Sequence, residues 1–240
     1  MNAITPEQAD DAPRTRYDSP RMAERRMRIL KFAHQILAEG GVDAMTINRL
    51  SELAEVAPST IYRSFESKEG VIYHSIVEHM DGIADHLETV GRPATFAQVE
   101  AEYDWIVTEL HRDPEYARAI MQLYFSPTID ARARRSMRSV AVGRAEHFLL
   151  AMKKKGLLDE QMDAAWIRER QVDLEYSVFL RWMQRAIRSE DVADALKAAF
   201  FLAVSPVLAE PARGEALARA SAAAARVAAA ESDQDAVTLT

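Results

Sequence analysis

The chain has 240 residues, no cysteine and a formal net charge of −7 at pH 7. The absence of cysteine excludes a disulfide framework, a thiolate nucleophile and a cysteine-based zinc site. No apolar run approaches the roughly 20 residues of a membrane span, and no signal-peptide core is evident, so we expect a cytoplasmic protein that does not contact membranes. Glycine and proline are scarce, and the abundance of Ala, Leu, Glu, Arg and Met predicts an all-α fold.

The N-terminal segment predicts a tail followed by a helix. Residues 1–20 are polar, interrupted by proline and without period, so we expect a disordered tail with a basic end at Arg14–Arg21. Such an arm either reaches a DNA groove or is a solvated tail, and the composition favours the tail. An amphipathic helix is predicted from Met22 to Ala38, ending at Gly40-Gly41.

The stretch Thr46–Lys68 (TINRLSELAEVAPSTIYRSFESK) predicts two short helices joined by a tight turn. Thr46 can cap the first helix, whose apolar residues share one face. Pro58 is acceptable in the first turn of the second helix, and Ile61 and Phe65 lie one turn apart on its inner face.

The outer face of the second helix carries groups that can read DNA. Ser59 and Arg63 lie opposite the inner face, with Thr60 and Tyr62 on the flanks. Hydroxyls, a phenol and a guanidinium on a short, rigidly held helix can enter a major groove. The alternative is an ordinary αα-hairpin packed in some other helical protein. The spacing alone supports this alternative and the DNA-binding interpretation about equally.

The distribution of charge favours DNA binding. Residues 14–68 hold ten Lys or Arg against seven Asp or Glu, whereas residues 69–240 hold 20 against 27. A segregated basic segment can bind phosphates while the acidic remainder faces away from the duplex.

The hairpin resembles the DNA-binding domain of tetracycline-repressor-type (TetR family) transcriptional regulators, over about Met22–Met80. The shared order is a capping Thr, Leu-small-x-x-Ala, an apolar turn residue, Thr-Ile-Tyr-x-x-Phe and then Ser-Lys. This resemblance implies a three-helix DNA-binding domain and a dimeric repressor that binds double-stranded DNA until a small-molecule effector binds. It implies that Tyr62 and Lys68 contact phosphates and that Ser59, Thr60 and Arg63 face bases. We also expect Thr46 and Arg49 to bind DNA.

Four positions depart from the family's pattern. Glu55 stands where the turn usually has Gly, and Ala57 stands where Ser usually caps the second helix. Ser59 replaces a common Gly, and Ser64 replaces a common His or Tyr. These departures affect the DNA sequence (operator) that the family's pattern would predict more than they affect the predicted fold.

The remaining chain predicts long helices that build a second, larger domain. Val71–Val90 repeats apolar residues at helical spacing after a Ser67 cap, and this helix would link the two domains. Further helices are predicted near 96–110, 114–125, 130–155, 164–187, 189–207 and 215–230. The expected division is a tail at 1–20, a helix-turn-helix DNA-binding domain at 21–67, a helical ligand-binding and dimerisation domain at 68–230 and a disordered end at 231–240.

Two apolar stripes on the helix near 164–187 predict a homodimer. One stripe contains Val172, Tyr176, Phe179 and Met183, and the other contains Leu174, Val178 and Trp182. One buried face cannot use both, and the alanines of the following helix permit close approach. We therefore expect the last two long helices to form a four-helix bundle with a second copy. Burial of both stripes within one chain is the alternative.

Aromatic and methionine side chains of the larger domain are candidates for lining a ligand cavity. They are Tyr103, Trp105, Tyr116, Met121, Tyr124, Phe125, Met152, Trp166, Tyr176, Phe179 and Met183. Tyrosine hydroxyls and Glu175 would supply polar contacts. These residue types favour a small apolar or amphipathic ligand over a strongly anionic one.

No arrangement typical of an enzyme, a metal site or a cofactor site is evident. His79 and His86 lie two helical turns apart, about 10 Å, which is too far for one ion. His74 and Glu78 are one turn apart, as in a common solvated pair. The chain lacks a Gly-rich phosphate loop and a G-x-S-x-G motif. We predict a regulator that is not an enzyme; a helical protein-interaction adaptor without DNA binding is the alternative, but it leaves the basic segment unexplained.

Overall fold

A computed structural model describes residues 20–159 and 161–238 of the chain. The described residues form an all-α fold, as predicted, in which an isolated antiparallel bridge between Leu158 and Leu208 is the single β-type pairing. The predicted N-terminal tail lies outside the described residues up to position 19. Within the described residues the ten α-helices are α1 (Pro20–Ala44), α2 (Ile47–Ala54), α3 (Pro58–Phe65), α4 (Lys68–Val90), α5 (Phe96–Arg112), α6 (Pro114–Phe125), α7 (Ala131–Lys154), α8 (Ala164–Met183), α9 (Val192–Val204) and α10 (Ala212–Thr238).

The first three helices form where their local signals place them. Regular helix geometry in α1 stops at Gly40 and Gly41, and Gly41 has φ 64°, a conformation that favours glycine. Thr46 caps α2, because its hydroxyl accepts a hydrogen bond from the Arg49 amide at 3.2 Å. Pro58 occupies the first position of α3, where a missing amide hydrogen has no cost. The two-helix hairpin is therefore confirmed.

The inner face of α3 is held by apolar and cationic contacts. Ile61 and Phe65 are buried in a core shared with α1. The Arg26 guanidinium of α1 lies 4.4 Å from the centre of the Phe65 ring and donates to the Ser64 carbonyl at 2.9 Å. These contacts fix the C-terminal end of α3 against α1.

Helix α4 connects the hairpin to the rest of the molecule. The Ser67 hydroxyl caps it by accepting from the Gly70 amide at 3.0 Å, as predicted. Its 23 residues pack first against α1 and α3 and then against α7. Helix α1 also packs along α6, so the hairpin and the larger part of the chain share one continuous core.

The dimer prediction assumed that one chain cannot bury both apolar stripes of α8, and this assumption is wrong. Val178 and Trp182 of the second stripe are buried within this chain, like Val172, Tyr176 and Phe179 of the first stripe. Trp182 donates its indole N–H to Ser189 at 3.0 Å and packs under the Arg118 guanidinium. Neighbouring parts of the same chain thus cover most of both stripes, while Met183 is half-buried and Leu174 is 40% exposed.

Two helix ends differ from the sequence prediction. Helix α8 ends at Met183 rather than Ile187, because the chain turns sharply at Arg185, which has φ 60°. Helix α10 continues to Thr238, through most of the segment predicted to be disordered. The stretch after Gly214 contains no glycine or proline and is rich in alanine, so nothing local ends the helix at Ala230.

Candidate nucleic-acid interface and ligand cavity

The outer face of α3 presents the side chains that the sequence predicts to contact DNA. Ser59, Tyr62 and Arg63 are exposed, and Thr60 is half-buried. Tyr62 is 51% exposed although it is large and aromatic. Because Ile61 anchors the opposite face, these polar groups lie on a rigid helix that is free to approach a groove.

The three predicted contacts outside α3 differ in their local environment. Thr46 is exposed, and its hydroxyl already serves as the α2 cap. Arg49 donates to Glu39 at 2.6 Å, so its charge is partly neutralised within the protein. Lys68 is half-buried at the first position of α4, directly after the Ser67 cap.

Left-handed residues shape both turns around α3. Glu55, in the place of the usual glycine, has φ 52° and ψ 49° and closes the α2 end through its amide. Glu66 has φ 68°, and the Ser67 amide donates across it to the Phe65 carbonyl at 2.8 Å, forming a γ-turn. The left-handed conformation costs about 1–2 kcal/mol for each L-amino acid that adopts it. The surrounding packing compensates for this strain and fixes the angle of α3.

Gly70 permits a close approach between α3 and α4. A Cβ atom placed on Gly70 would overlap the backbone carbonyl of Phe65. Backbone atoms cannot move aside as a flexible side chain can, so this position requires glycine.

A polar cluster joins α1 to α6 beside the hairpin. His34 of α1 donates from Nε2 to the Asp113 carboxylate at 2.7 Å, and its ring stacks on Tyr116 with centroids 3.5 Å apart. Tyr116 and Ser75 of α4 share a buried hydroxyl pair at 3.2 Å. The ring of His79 packs edge-on against Tyr116.

An open cleft of about 540 Å³ runs beside this cluster, between α1, α4 and α5. Lys31 and His34 line it from α1, Glu78 and His79 from α4, and Trp105 from α5. The cleft therefore borders both the helix that supports the hairpin and the helix that begins in it.

A smaller cavity of about 100 Å³ continues inward from the cleft. The two spaces share His79 and Ile83 of α4 and Glu109 of α5 in their linings. Helices α4 to α8 contribute mainly apolar side chains to the inner cavity, including Met80, Ile106, Ile120, Met137 and Val140. Such an apolar space with a few polar groups is typical of a small-molecule site.

The predicted ligand-lining residues divide between this site and other places. Tyr116, Met121, Tyr176 and Phe179 line the inner cavity, and Trp105 lines the cleft. Six others lie outside both linings: Tyr103 in a buried polar network, Tyr124 stacked on the far side of Tyr176, Phe125 and Trp166 at the surface, Met152 at a separate pocket and Met183 half-buried. The orientation of each helix, which the residue type does not encode, decides this division.

The polar network at the inner end of the cavity is centred on Arg144 of α7, which has no exposed surface. Its Nε donates to Glu102 at 2.7 Å and its Nη1 donates to Glu175 at 2.6 Å. Tyr103 and Gln171 also donate to Glu175, at 2.8 and 2.9 Å. Burial lowers the pKa of Arg144, but the adjacent Glu175 and Glu102 outweigh that effect and raise it, so the guanidinium stays charged.

Burial shifts the pKa values of the titratable groups around the cavity. It lowers the pKa of His79 to about 4, with a smaller contribution from His34, so the imidazole is neutral at pH 7. It raises the pKa of Tyr116 to about 12 and raises that of Glu78. The side of the cavity near α4 therefore holds a neutral imidazole and a neutral phenol.

Sequence reasoning missed Arg144 and Glu102, although a signal was present. Arg144 falls one turn from Val140 and from Phe148, on the buried stripe of α7. Glu102 falls three residues after buried Val99. A charged residue at a core position is rarely buried unless it is paired, so opposite charges on two buried stripes indicate a buried ion pair.

The described residues hold no group of three or more His, Cys, Asp or Glu side chains placed to bind a metal ion. His86, considered above for a metal, stacks on Trp105 with ring centres 3.9 Å apart. Within the same part of the chain, no helix has the length and apolar character needed to cross a membrane.

Comparison with known proteins agrees with this geometry. Residues 29–73 match the sequence model for bacterial regulatory proteins of the tetR family. The HTH-type transcriptional repressor KstR of Rhodococcus jostii (strain RHA1) is 24% identical over 174 residues, which cover 72% of this chain and 80% of KstR.

Solved structures share the fold at low identity. SmeT, the repressor of the Stenotrophomonas maltophilia multidrug efflux pump SmeDEF, matches with a TM-score of 0.61 and 17% identity, over 78% of this chain and 92% of SmeT. The repressor FadR of Thermus thermophilus, solved with lauroyl-CoA, matches with a TM-score of 0.59 and 19% identity, over 75% of this chain and 93% of FadR.

Proposed function

Because the chain belongs to the tetR family of bacterial regulatory proteins, we propose that it is a homodimeric repressor released from a palindromic operator by a small apolar or amphipathic ligand. Helix α3 is the recognition helix, with Ser59, Thr60 and Arg63 toward the bases. Tyr62 and Lys68 hold phosphates. A protein-interaction adaptor without DNA binding would not require these exposed groups on a rigid helix.

The observation that carries this proposal is the path of α4. Its first residue, Lys68, lies beside the recognition helix, and its fourth and fifth turns contribute His79, Met80 and Ile83 to the cavity. A ligand that fits one position of α4 better than another shifts the angle of both recognition helices in a dimer. The ligand shifts this equilibrium only by the difference between its affinities for the two positions of α4. A coupling free energy of about 1–3 kcal/mol between ligand and operator corresponds to a 5- to 150-fold loss of operator affinity.

The dimer is proposed to form through α8 and α9. Leu174 on α8 and Leu202 on α9 are exposed, by 40% and 58%. Ala195 and Ala198 precede Leu202 at helical spacing and are half-buried. Small side chains beside an exposed leucine let a second copy approach closely.

Selection of bound fragments from random DNA tests the proposal directly. A dimer should retain palindromes whose half-sites lie about 34–36 Å, one helical turn, or a multiple of it apart. Sedimentation should give twice the chain mass, and Leu202→Glu should halve it and abolish operator binding. Leu150→Glu, a matched exposed leucine on α7, should leave both unchanged. A monomer, or no fragment retained at low salt, would favour the adaptor.

The ligand step has its own test. A library of apolar metabolites is screened for compounds that lower operator affinity, and Ala141→Leu, which fills part of the cavity, should abolish the response while operator binding stays intact. Ala131→Leu, at an exposed position of the same helix, should respond as the wild type does. If no compound shifts wild-type affinity, the protein is a constitutive DNA-binding dimer.

A further inference from the structure

One residue of the cavity lining has a buried hydrogen-bond donor without a partner. Arg144 lines the cavity together with Glu175. Two of its nitrogens, Nε and Nη1, donate to Glu102 and Glu175, whereas Nη2 is buried without a hydrogen-bond partner among the described residues. A buried donor on a charged group that lacks an acceptor costs free energy. A ligand atom that accepts from Nη2 removes that cost.

The charge of the network restricts which acceptor is favourable. One guanidinium faces two carboxylates, Glu102 and Glu175, so the network has an excess of one negative charge. A ligand carboxylate would add a second uncompensated charge in a site of low dielectric constant. A ligand ammonium would balance that charge but has donors only, so it would leave Nη2 without an acceptor.

The other polar groups of the inner cavity do not offer a second anchor for charge. Glu109 is paired with Arg112 at 2.8 Å, and Asp113 is paired with His34 at 2.7 Å. His79 lines the same cavity and is neutral at pH 7. Among the described residues that line the inner cavity, Arg144 is the one cationic side chain that keeps an unpaired donor.

We propose that the cavity binds an amphipathic ligand through an uncharged oxygen acceptor, such as a ketone, ester or amide carbonyl, which accepts from Nη2 of Arg144. The apolar part of the ligand lies along Met80, Ile106 and Val140 and extends toward the cleft. This inference rests on the proposed function only in using the same cavity, and it concerns binding rather than DNA release.

Direct binding to the purified full-length chain without DNA tests the inference. The probes are 2-decanone, decanoate and decylammonium, which share an apolar chain and differ at the polar end, measured by calorimetry at pH 7.5. We expect the ketone to bind at least tenfold more tightly than either ion. Any apolar cavity disfavours ions, so the decisive measurement uses Glu102→Gln.

Glu102 contacts Arg144 but is not part of the cavity lining. In Glu102→Gln the network becomes neutral while an amide oxygen can still accept from Nε of Arg144. Decanoate should then bind at least tenfold more tightly than in the wild type, and 2-decanone should change less than threefold. Glu100→Gln, on the same helix but paired with Arg219, should change neither. Thermal melting of each variant verifies that it is folded.

Three results would overturn the inference. Decanoate could bind the wild type as tightly as the ketone, decylammonium could bind best, or Glu102→Gln could leave the ratio of decanoate to ketone affinity unchanged. Lys31→Gln tests a second site for the anion, because Lys31 lines the outer cleft. If this variant loses decanoate binding, the carboxylate of decanoate binds in the cleft and not beside Arg144. Operator release by 2-decanone is measured separately, so that ketone binding without release would contradict the proposed function and leave the inference intact.

Discussion

His34 of α1 and Asp113 at the start of α6 are joined by a 2.7 Å hydrogen bond from Nε2 to Oδ2. The first helix supports the recognition hairpin, and the second forms one wall of the inner cavity. Asp113 also caps α6 through the Tyr116 amide at 3.2 Å. One carboxylate therefore fixes the position of a cavity helix and holds it to the DNA-binding side of the molecule.

Replacement of Asp113 by alanine should weaken the coupling between ligand and operator. The lost cap should lower the free energy of unfolding by about 1 kcal/mol. Both members of the pair are more than a third exposed, so the pair itself should add no more than about 1 kcal/mol. Operator affinity with and without ligand should differ by a smaller factor than in the wild type.

Asp163→Ala provides the matched control, because Asp163 caps α8 and lies at an exposed position. Urea denaturation should give a similar loss of stability, while the ligand response stays at the wild-type value. Equal ligand responses in the two variants would show that the link between α1 and α6 does not transmit the signal.

Gly70→Ala should impair DNA binding through the backbone. The added Cβ overlaps the Phe65 carbonyl, so α3 must tilt away from α4. We expect lower operator affinity together with a lower melting temperature. Gly82→Ala lies later in the same helix with no atom within 4 Å of the added carbon, and it should be neutral or stabilise by up to about 1 kcal/mol. Wild-type operator affinity in Gly70→Ala would show that the turn relaxes without moving α3.

Arg63 and Lys68 should have different roles on DNA. Lys68→Ala should weaken binding to all sequences similarly and reduce the salt slope by about one, because a phosphate contact releases counterions without reading a base. Arg63→Ala should cost about 1–3 kcal/mol on the operator and relax preference at one base pair. Binding to operator and scrambled DNA over a salt series distinguishes the two effects. Sequence-independent losses in both variants would make Arg63 a second phosphate contact.

The hairpin could be predicted from sequence because its signals are local. The Thr46 and Ser67 caps, Pro58 at the start of α3 and the spacing of Ile61 and Phe65 each act within one or two turns. Local signals of this kind keep their meaning whatever the helices later pack against.

The cavity could be predicted only in part, because its lining depends on how five helices are rotated against one another. Tyr176 faces the cavity, whereas Tyr124, stacked on it at 3.8 Å, lies outside the lining. No periodicity in either helix distinguishes the two. The dimer prediction failed in its premise for a related reason, since the cover for Trp182 comes from Ser189 and Arg118 of the same chain.

His79 should make the stability of the fold depend on pH between about 4 and 6.5. Burial lowers its pKa from 6.5 to about 4, so the unfolded chain binds a proton at a higher pH than the folded chain does. Within this window the unfolded state holds more protons, and the free energy of unfolding falls as the pH falls. From pH 7.5 to pH 4.5 the loss due to His79 should be about 2–3 kcal/mol.

The measurement is urea denaturation of the wild type and His79→Gln at the two pH values. The wild type should lose about 2–3 kcal/mol more than the variant, because glutamine does not titrate. Glu78 lies beside His79 and has a raised pKa, which changes stability in the opposite direction, but it is present in both proteins and cancels in the difference. His111→Gln, at an exposed position of α5, should follow the wild type. Parallel losses in wild type and His79→Gln would mean that the imidazole is hydrated in the folded protein, and that the cavity wall at α4 is open to water.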